Sequence, residues 1–92
     1  MKQLNSFEKC IYKEMLKKTN QYIVEIIKQD NFDNELVLER IANVMIVRLR
    51  KFLREMEDKE IYAVTKQMPA LRKMKAQQRH KLVSAVLDFV KL

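Results

Sequence analysis

Apolar residues recur at three- and four-residue spacing over most of this chain, and that period predicts helices rather than strands. Phe7, Ile11, Met15, Tyr22 and Ile26, with Cys10, Leu16, Thr19, Ile23 and Ile27 beside them, make one stripe. Lys9, Lys13, Lys17, Asn20, Gln21 and Lys28 fall on the other side and predict a solvated back. This helix is expected to begin at Asn5 or Ser6, where Asn5 as cap and Glu8 three residues later make a capping-box pattern. The run from Asp30 through Asn31, Phe32 and Asp33 to Asn34 should end it, because short polar side chains compete for backbone hydrogen bonds and asparagine tolerates a left-handed cap.

A second long helix is predicted from about Asn34 to Glu57, capped by Asp33, with Glu35 in its first turn. Leu38, Ile41, Ala42, Met45, Leu49, Phe52, Leu53 and Met56 form its seam. Val37, Val44, Ile46 and Val47 add apolar surface off that seam, so this is the expected central helix or an intersubunit face. Asp58 should cap a third helix through Met68, after which Pro69 forces a stop or a fresh first turn. A short segment with Leu71 and Met74 leads to a last helix from Ala76 to Val90.

The composition agrees with this pattern. A chain of 92 residues with no glycine and one proline has few routes to tight hairpins, so the expected fold is all-α, a small bundle of four or five helices in one domain. Residues 1–57 supply two long helices and residues 58–92 a basic helical region with two or three shorter ones. The same lack of glycine removes phosphate-cradling loops. Cys10, the one cysteine, can form no intrachain disulfide or cysteine-based zinc site, and its place on the first stripe predicts a buried small hydrophobe. No apolar run is long enough to span a bilayer and the first five residues lack a signal-peptide core. An intracellular protein of nucleus or cytoplasm is expected, with no membrane contact. Apolar residues make up 48% of the chain, including six methionines, more than one short bundle is expected to cover, and this predicts a homodimer or an obligate protein partner. The methionines are expected mainly to fill the core, and any exposed minority to involve Met68 and Met74, which flank the break at Pro69.

Charge is uneven. Residues 1–30 sum to +2, residues 31–65 to −1 and residues 66–92 to +6. Arg72, Lys73, Lys75, Arg79 and Lys81 are therefore candidates for nucleic-acid contact, with Arg50 and Arg54, one turn apart on the second helix, extending the same face. The bland readings are a solvated surface and, for Lys51 and Arg54, intrahelical pairs with Glu55 and Asp58. Aromatic residues are missing between Lys66 and Lys81, which disfavours base stacking and leaves phosphate contact or an acidic protein.

Catalysis has little to rest on. His80 is the single histidine and stands between Arg79 and Lys81, so packing at a helix edge is expected of it. The acidic group Glu55, Glu57, Asp58 and Glu60 is interrupted by Lys59. No catalytic residue, metal ligand, cofactor or small-molecule substrate is predicted.

Pro69, Ala70, Leu71, Arg72, Lys73 and Met74, followed by Gln77, Gln78, Arg79 and the apolar run Leu82 to Val90, resemble the BESS motif, a helical interaction module of insect transcription and chromatin factors. The resemblance covers about a third of the chain; Tyr62 stands one position too far from Pro69, and Lys66 stands where the family has serine. It implies protein association through Leu71, Met74, Leu82 and Val86. Arg48, Leu49, Arg50, Lys51, Phe52 and Leu53 are similar to a helix of GINS replication-complex subunits, which also implies assembly. The expected function is thus a non-enzymatic adaptor in a transcription, chromatin or replication setting. Its partner interface would comprise Val37, Val44, Val47, Met68, Leu71, Met74, Leu82 and Val86. Direct nucleic-acid binding is the alternative, and a small inhibitor of a host enzyme is a third class.

Overall fold

Asn5 opens the first helix by reciprocal bonds: the Glu8 amide donates to Asn5 Oδ1 at 2.8 Å and the Asn5 amide to Glu8 Oε1 at 3.2 Å. The protein, seen in a computed structural model that describes residues 3–29 and 32–91, then continues as helix through most of its length. The elements are α1 (Ser6–Gln29), α2 (Glu35–Leu53), α3 (Asp58–Gln67), a single 3₁₀ turn (Pro69–Leu71) and α4 (Ala76–Val90), with no strand among the described residues. Asp30 and Asn31, part of the expected terminator of α1, lie outside the described residues.

Three boundaries differ from the sequence pattern. The cap of α2 is Asn34, whose Oδ1 accepts from the Leu36 amide at 2.9 Å, while Asp33 receives Gln78 Nε2 at 2.8 Å. Helix α2 ends at Leu53, short of Glu57, because the Glu55 and Met56 amides bond back three residues, to Phe52 and Leu53, and tighten the last turn. Glu57, freed from α2, caps α3 in place of Asp58, and its amide donates to Glu60 Oε1 at 2.9 Å. That bond is the largest cause holding the Glu60 carboxyl below the usual range. Pro69 does both things its chemistry permits: α3 stops at Gln67, and the proline opens the 3₁₀ turn.

Helix α2 lies between α1 and α4. Helix α1 runs antiparallel to it, since Tyr12 near its start meets Phe52 edge-on with ring centroids 5.0 Å apart, and Tyr22 further along meets Arg48. Helix α4 runs parallel to α2: Gln78 and Lys81 touch Asp33 and Glu35 at one end, and Lys91 Nζ donates to the Met56 carbonyl at 2.6 Å at the other. Two parallel neighbours need a crossover, and α3 with the 3₁₀ turn supplies it.

Every residue of the α2 seam is buried, with Ile41, Met45, Leu49 and Leu53 sealed completely. Each such side chain contributes roughly 1.5–3 kcal/mol by leaving water. The α-carbon radius of gyration is 12.4 Å, close to the roughly 12 Å expected of one folded chain of this length. One copy therefore covers the α2 seam by itself, while Leu36 and Val47 on the same helix stay exposed. Met68 and Met74 are buried too, because the Leu71 amide bonds the Met68 carbonyl and the Met74 amide bonds the Leu71 carbonyl, folding this segment onto the core. Cys10 is exposed, not buried, as is Phe7: α1 packs α2 and the 3₁₀ turn through Tyr12, Leu16, Thr19, Ile23 and Ile26, leaving the first residues of the stripe outside the contact. Thr19 and Thr65, the two buried polar residues described, satisfy their hydroxyls on the carbonyls of Met15 and Tyr62.

Candidate partner and polyanion surfaces

The eight residues expected to form a partner interface divide sharply. Val37, Met68, Leu71, Met74, Leu82 and Val86 are all core residues of the single chain, at most 5% exposed, so they are closed to a partner in this fold. Leu71, Met74, Leu82 and Val86, to which a BESS-like motif would assign association, are within that group. Val44 is half-buried and Val47 is 82% exposed. The reason lies in the crossover: the faces of α2 and α4 that look surplus in sequence are pressed against each other.

Val44 lines a groove between α1 and α2, a cavity of about 390 Å³ that Tyr22, Glu25, Ile26, Gln29, Arg40 and Asn43 also line, and Val47 follows one turn further along α2. Ile26 is nearly buried in its floor. Tyr22 stands half out of it, and the Arg48 guanidinium carbon sits 3.8 Å from its ring centroid, a cation–π contact that holds both side chains in place. Val47, Arg40 and Lys51 follow one another on the outer ridge of α2. The groove thus joins apolar area to Arg40, with the Arg48 guanidinium over Tyr22 and Glu25 on the opposite bank.

The seven residues expected to contact nucleic acid do not form one face. Because α2 and α4 are parallel, Arg50 and Arg54 sit at the far end of α2 from the Lys81–Glu35 contact, about 22–28 Å along the helix axis. Arg79 is turned inward: its Nη2 donates to the Met74 carbonyl at 3.2 Å, and its Nε is buried without a partner among the described residues. Lys81 is paired with Glu35 at 3.3 Å across an exposed surface, a contact of small energetic weight. Arg72 Nε donates to the Lys66 carbonyl at 3.0 Å. Lys73 and Lys75 are exposed and make no ion pair with described residues.

No protein family, curated protein or solved structure matches this chain. Its function has to be argued from these surfaces.

His80 packs at the contact of α3 and α4. Its Nδ1 shares a hydrogen bond with the Tyr62 hydroxyl, and the two rings lie 6.2 Å apart at 29°. That contact fixes the imidazole against α3 and beside a shallow cavity of about 310 Å³ lined by Glu35, Glu39, Ser84 and Asp88 among others.

The charge pattern along the chain conceals one grouping. Lys13 and Lys17, assigned to the solvated back of α1, border a cleft of about 300 Å³ against the 3₁₀ turn, together with Leu16, Asn20, Gln67, Met68 and Pro69. Asn20 Oδ1 accepts the Ala70 amide at 2.8 Å, and Gln67 Oε1 accepts the Tyr12 hydroxyl at 3.0 Å. Burial first, and the nearby Glu60 carboxylate second, push the Tyr12 hydroxyl up to about 12. One signal was available in the sequence: an asparagine in the middle of a long helix is locally unfavourable, and here it is held by a tertiary bond.

Proposed function

We propose that this protein is a non-enzymatic helical adaptor that associates with another protein through the groove between α1 and α2. The observation that supports the reading is Val47, 82% exposed on a helix whose opposite face is sealed, one turn from the half-buried Val44 that lines the groove with the half-exposed Tyr22. Apolar area of this kind with a fixed aromatic is the usual centre of a binding surface. Arg40 in the groove and Arg48 over Tyr22 favour an acidic amphipathic segment, whose apolar side chains would cover Val44 and Val47 while its carboxylates meet the cations. The BESS and GINS resemblances point to assembly as well, although this surface lies outside the residues that the BESS resemblance would use. A transcription, chromatin or replication setting is part of the same proposal.

The test compares wild type and Val47→Glu as bait in native extract treated with nuclease. Val47 is exposed, so the variant should keep its circular dichroism spectrum and lose the proteins that wild type retains. An Arg50→Glu, Arg54→Glu bait should retain them. Identical capture by all three baits, or capture that nuclease abolishes for wild type, would refute the reading.

A further inference from the structure

The cleft between α1 and the 3₁₀ turn has a chemical asymmetry that separates it from an ordinary lysine-rich surface. Two amide side chains line it, and each has already committed its oxygen. Asn20 Oδ1 is taken by the backbone amide of Ala70, and Gln67 Oε1 by the Tyr12 hydroxyl. Each amide keeps its NH₂ group, a donor with two hydrogens, while its oxygen already holds one hydrogen bond and has one lone pair left. Lys13 and Lys17, one helical turn apart on the same wall, are donors only. Lys66 precedes Gln67, and the Arg72 guanidinium is anchored beside it by its Nε bond to the Lys66 carbonyl, which leaves both terminal nitrogens free of any other hydrogen bond among described residues. No carboxylate lines the cleft. Lys13, Lys17 and Lys66 make no ion pair with described residues.

A concave site lined by two lysines and two amide NH₂ groups, with no carboxylate among its lining residues, is complementary to a ligand whose oxygens only accept, and phosphate diesters are such ligands. We infer that the cleft formed by Lys13, Lys17 and Asn20 of α1 with Gln67 at the end of α3 and Pro69 of the 3₁₀ turn binds the phosphodiester backbone of a nucleic-acid duplex. A duplex is favoured over a single strand because Phe7, Tyr22 and Phe89, the exposed aromatics with large free surface, are not among the lining residues, so no base-stacking platform adjoins it. A membrane surface is disfavoured for a parallel reason: none of the large exposed apolar residues flanks the lysines to enter a bilayer. Contact through the backbone alone implies binding without sequence preference. The inference is independent of the α1–α2 groove, which lies on the other flank of α1.

The experiment is fluorescence anisotropy of a labelled 20-base-pair DNA duplex with the full chain, repeated over a salt series. Three to five neutralised phosphates predict that affinity falls about 40- to 500-fold between 50 and 200 mM salt. Lys13→Ala with Lys17→Ala should weaken binding at least about tenfold at the lower salt and reduce the magnitude of the log–log salt slope by about 2. Asn20→Asp, which preserves an acceptor for Ala70 but replaces the free donor by a carboxylate, should weaken it further while the fold is retained. Arg50→Ala with Arg54→Ala, at the far end of α2, should leave both affinity and slope within about twofold of wild type. Equal weakening by the two double variants would mean that net charge rather than the cleft binds DNA, and would overturn the inference. So would binding to vesicles of phosphatidylserine with none to the duplex, or no duplex binding at 50 mM salt.

Discussion

Replacing Asn20 by leucine tests whether the bond that joins α1 to the 3₁₀ turn holds the crossover in place. The two residues stand 50 positions apart in sequence, and Asn20 Oδ1 accepts the Ala70 amide at 2.8 Å in a part-buried setting. Leucine matches asparagine in size and shape and fits beside Leu16 and Met68, so the perturbation is close to the removal of one acceptor. A buried amide left unpaired costs about 1–3 kcal/mol, and partial access of water to Ala70 places this case at about 1–2 kcal/mol. In a domain of this size that lowers the melting temperature by about 5–15 °C. Asn20→Asp keeps an acceptor at the same position and should melt within about 3 °C of wild type. Thermal unfolding followed by circular dichroism at neutral pH reads both. The reasoning fails if Asn20→Leu melts with the wild type, or if Asn20→Asp falls as far as the leucine variant does.

Two further outcomes can be checked directly. The Tyr12 hydroxyl is raised to about 12 in the folded chain, so the folded state holds a proton that the unfolded state releases above about pH 10; stability is full below that pH and declines as pH rises toward 12, by about 1–2 kcal/mol after allowance for solvent screening. Urea unfolding from pH 9 to 11.5 should show this decline in wild type and a shallower one in Tyr12→Phe, and parallel curves would refute it. Cys10 is exposed on α1, so it should react fully with a disulfide reagent in the native protein without denaturant; a thiol that reacts only after unfolding would contradict its placement.

The helices are legible in the sequence to the extent that their apolar period is broken by something chemical. Helix α4 runs from Ala76 to Val90 as its pattern predicts, because polar Lys73, Lys75 and Gln77 precede the apolar run. The end of α2 is hidden for a different reason. Met56 occupies the core whether the helix continues to it or a tightened turn folds it back, so the periodicity of Phe52, Leu53 and Met56 is the same for both conformations. Interface residues are less legible still. Val37, Leu82 and Val86 look like surplus apolar surface until the parallel pairing of α2 with α4 is known, and no local signal reports that pairing. Val47 differs from them only by lying on the ridge that no helix covers. The basic surfaces fail to follow the linear charge count because that count runs along the chain: it joins Arg79 to its neighbours although Arg79 points inward, and separates Lys13 and Lys17 from Gln67, which the crossover brings near them.

The bonds that close the crossover also create the chemistry of the cleft. An exposed asparagine or glutamine ordinarily offers an acceptor and donors together and has no preference for anions. Here the Ala70 amide is the first free N–H after Pro69, which has none, and it must be satisfied where the 3₁₀ turn meets α1. The Tyr12 hydroxyl, half-buried against Phe52, has the same need. Both find their acceptors in amide side chains at the edge of the cleft, and so each takes up part of the acceptor capacity there. Any substitution that frees either oxygen, such as Tyr12→Phe at Gln67, therefore loosens the crossover and returns an acceptor to the cleft in the same step. Stability and anion preference should fall together at Tyr12 and separate at Lys13 and Lys17, whose exposed side chains contribute charge to the cleft and nothing to its closure.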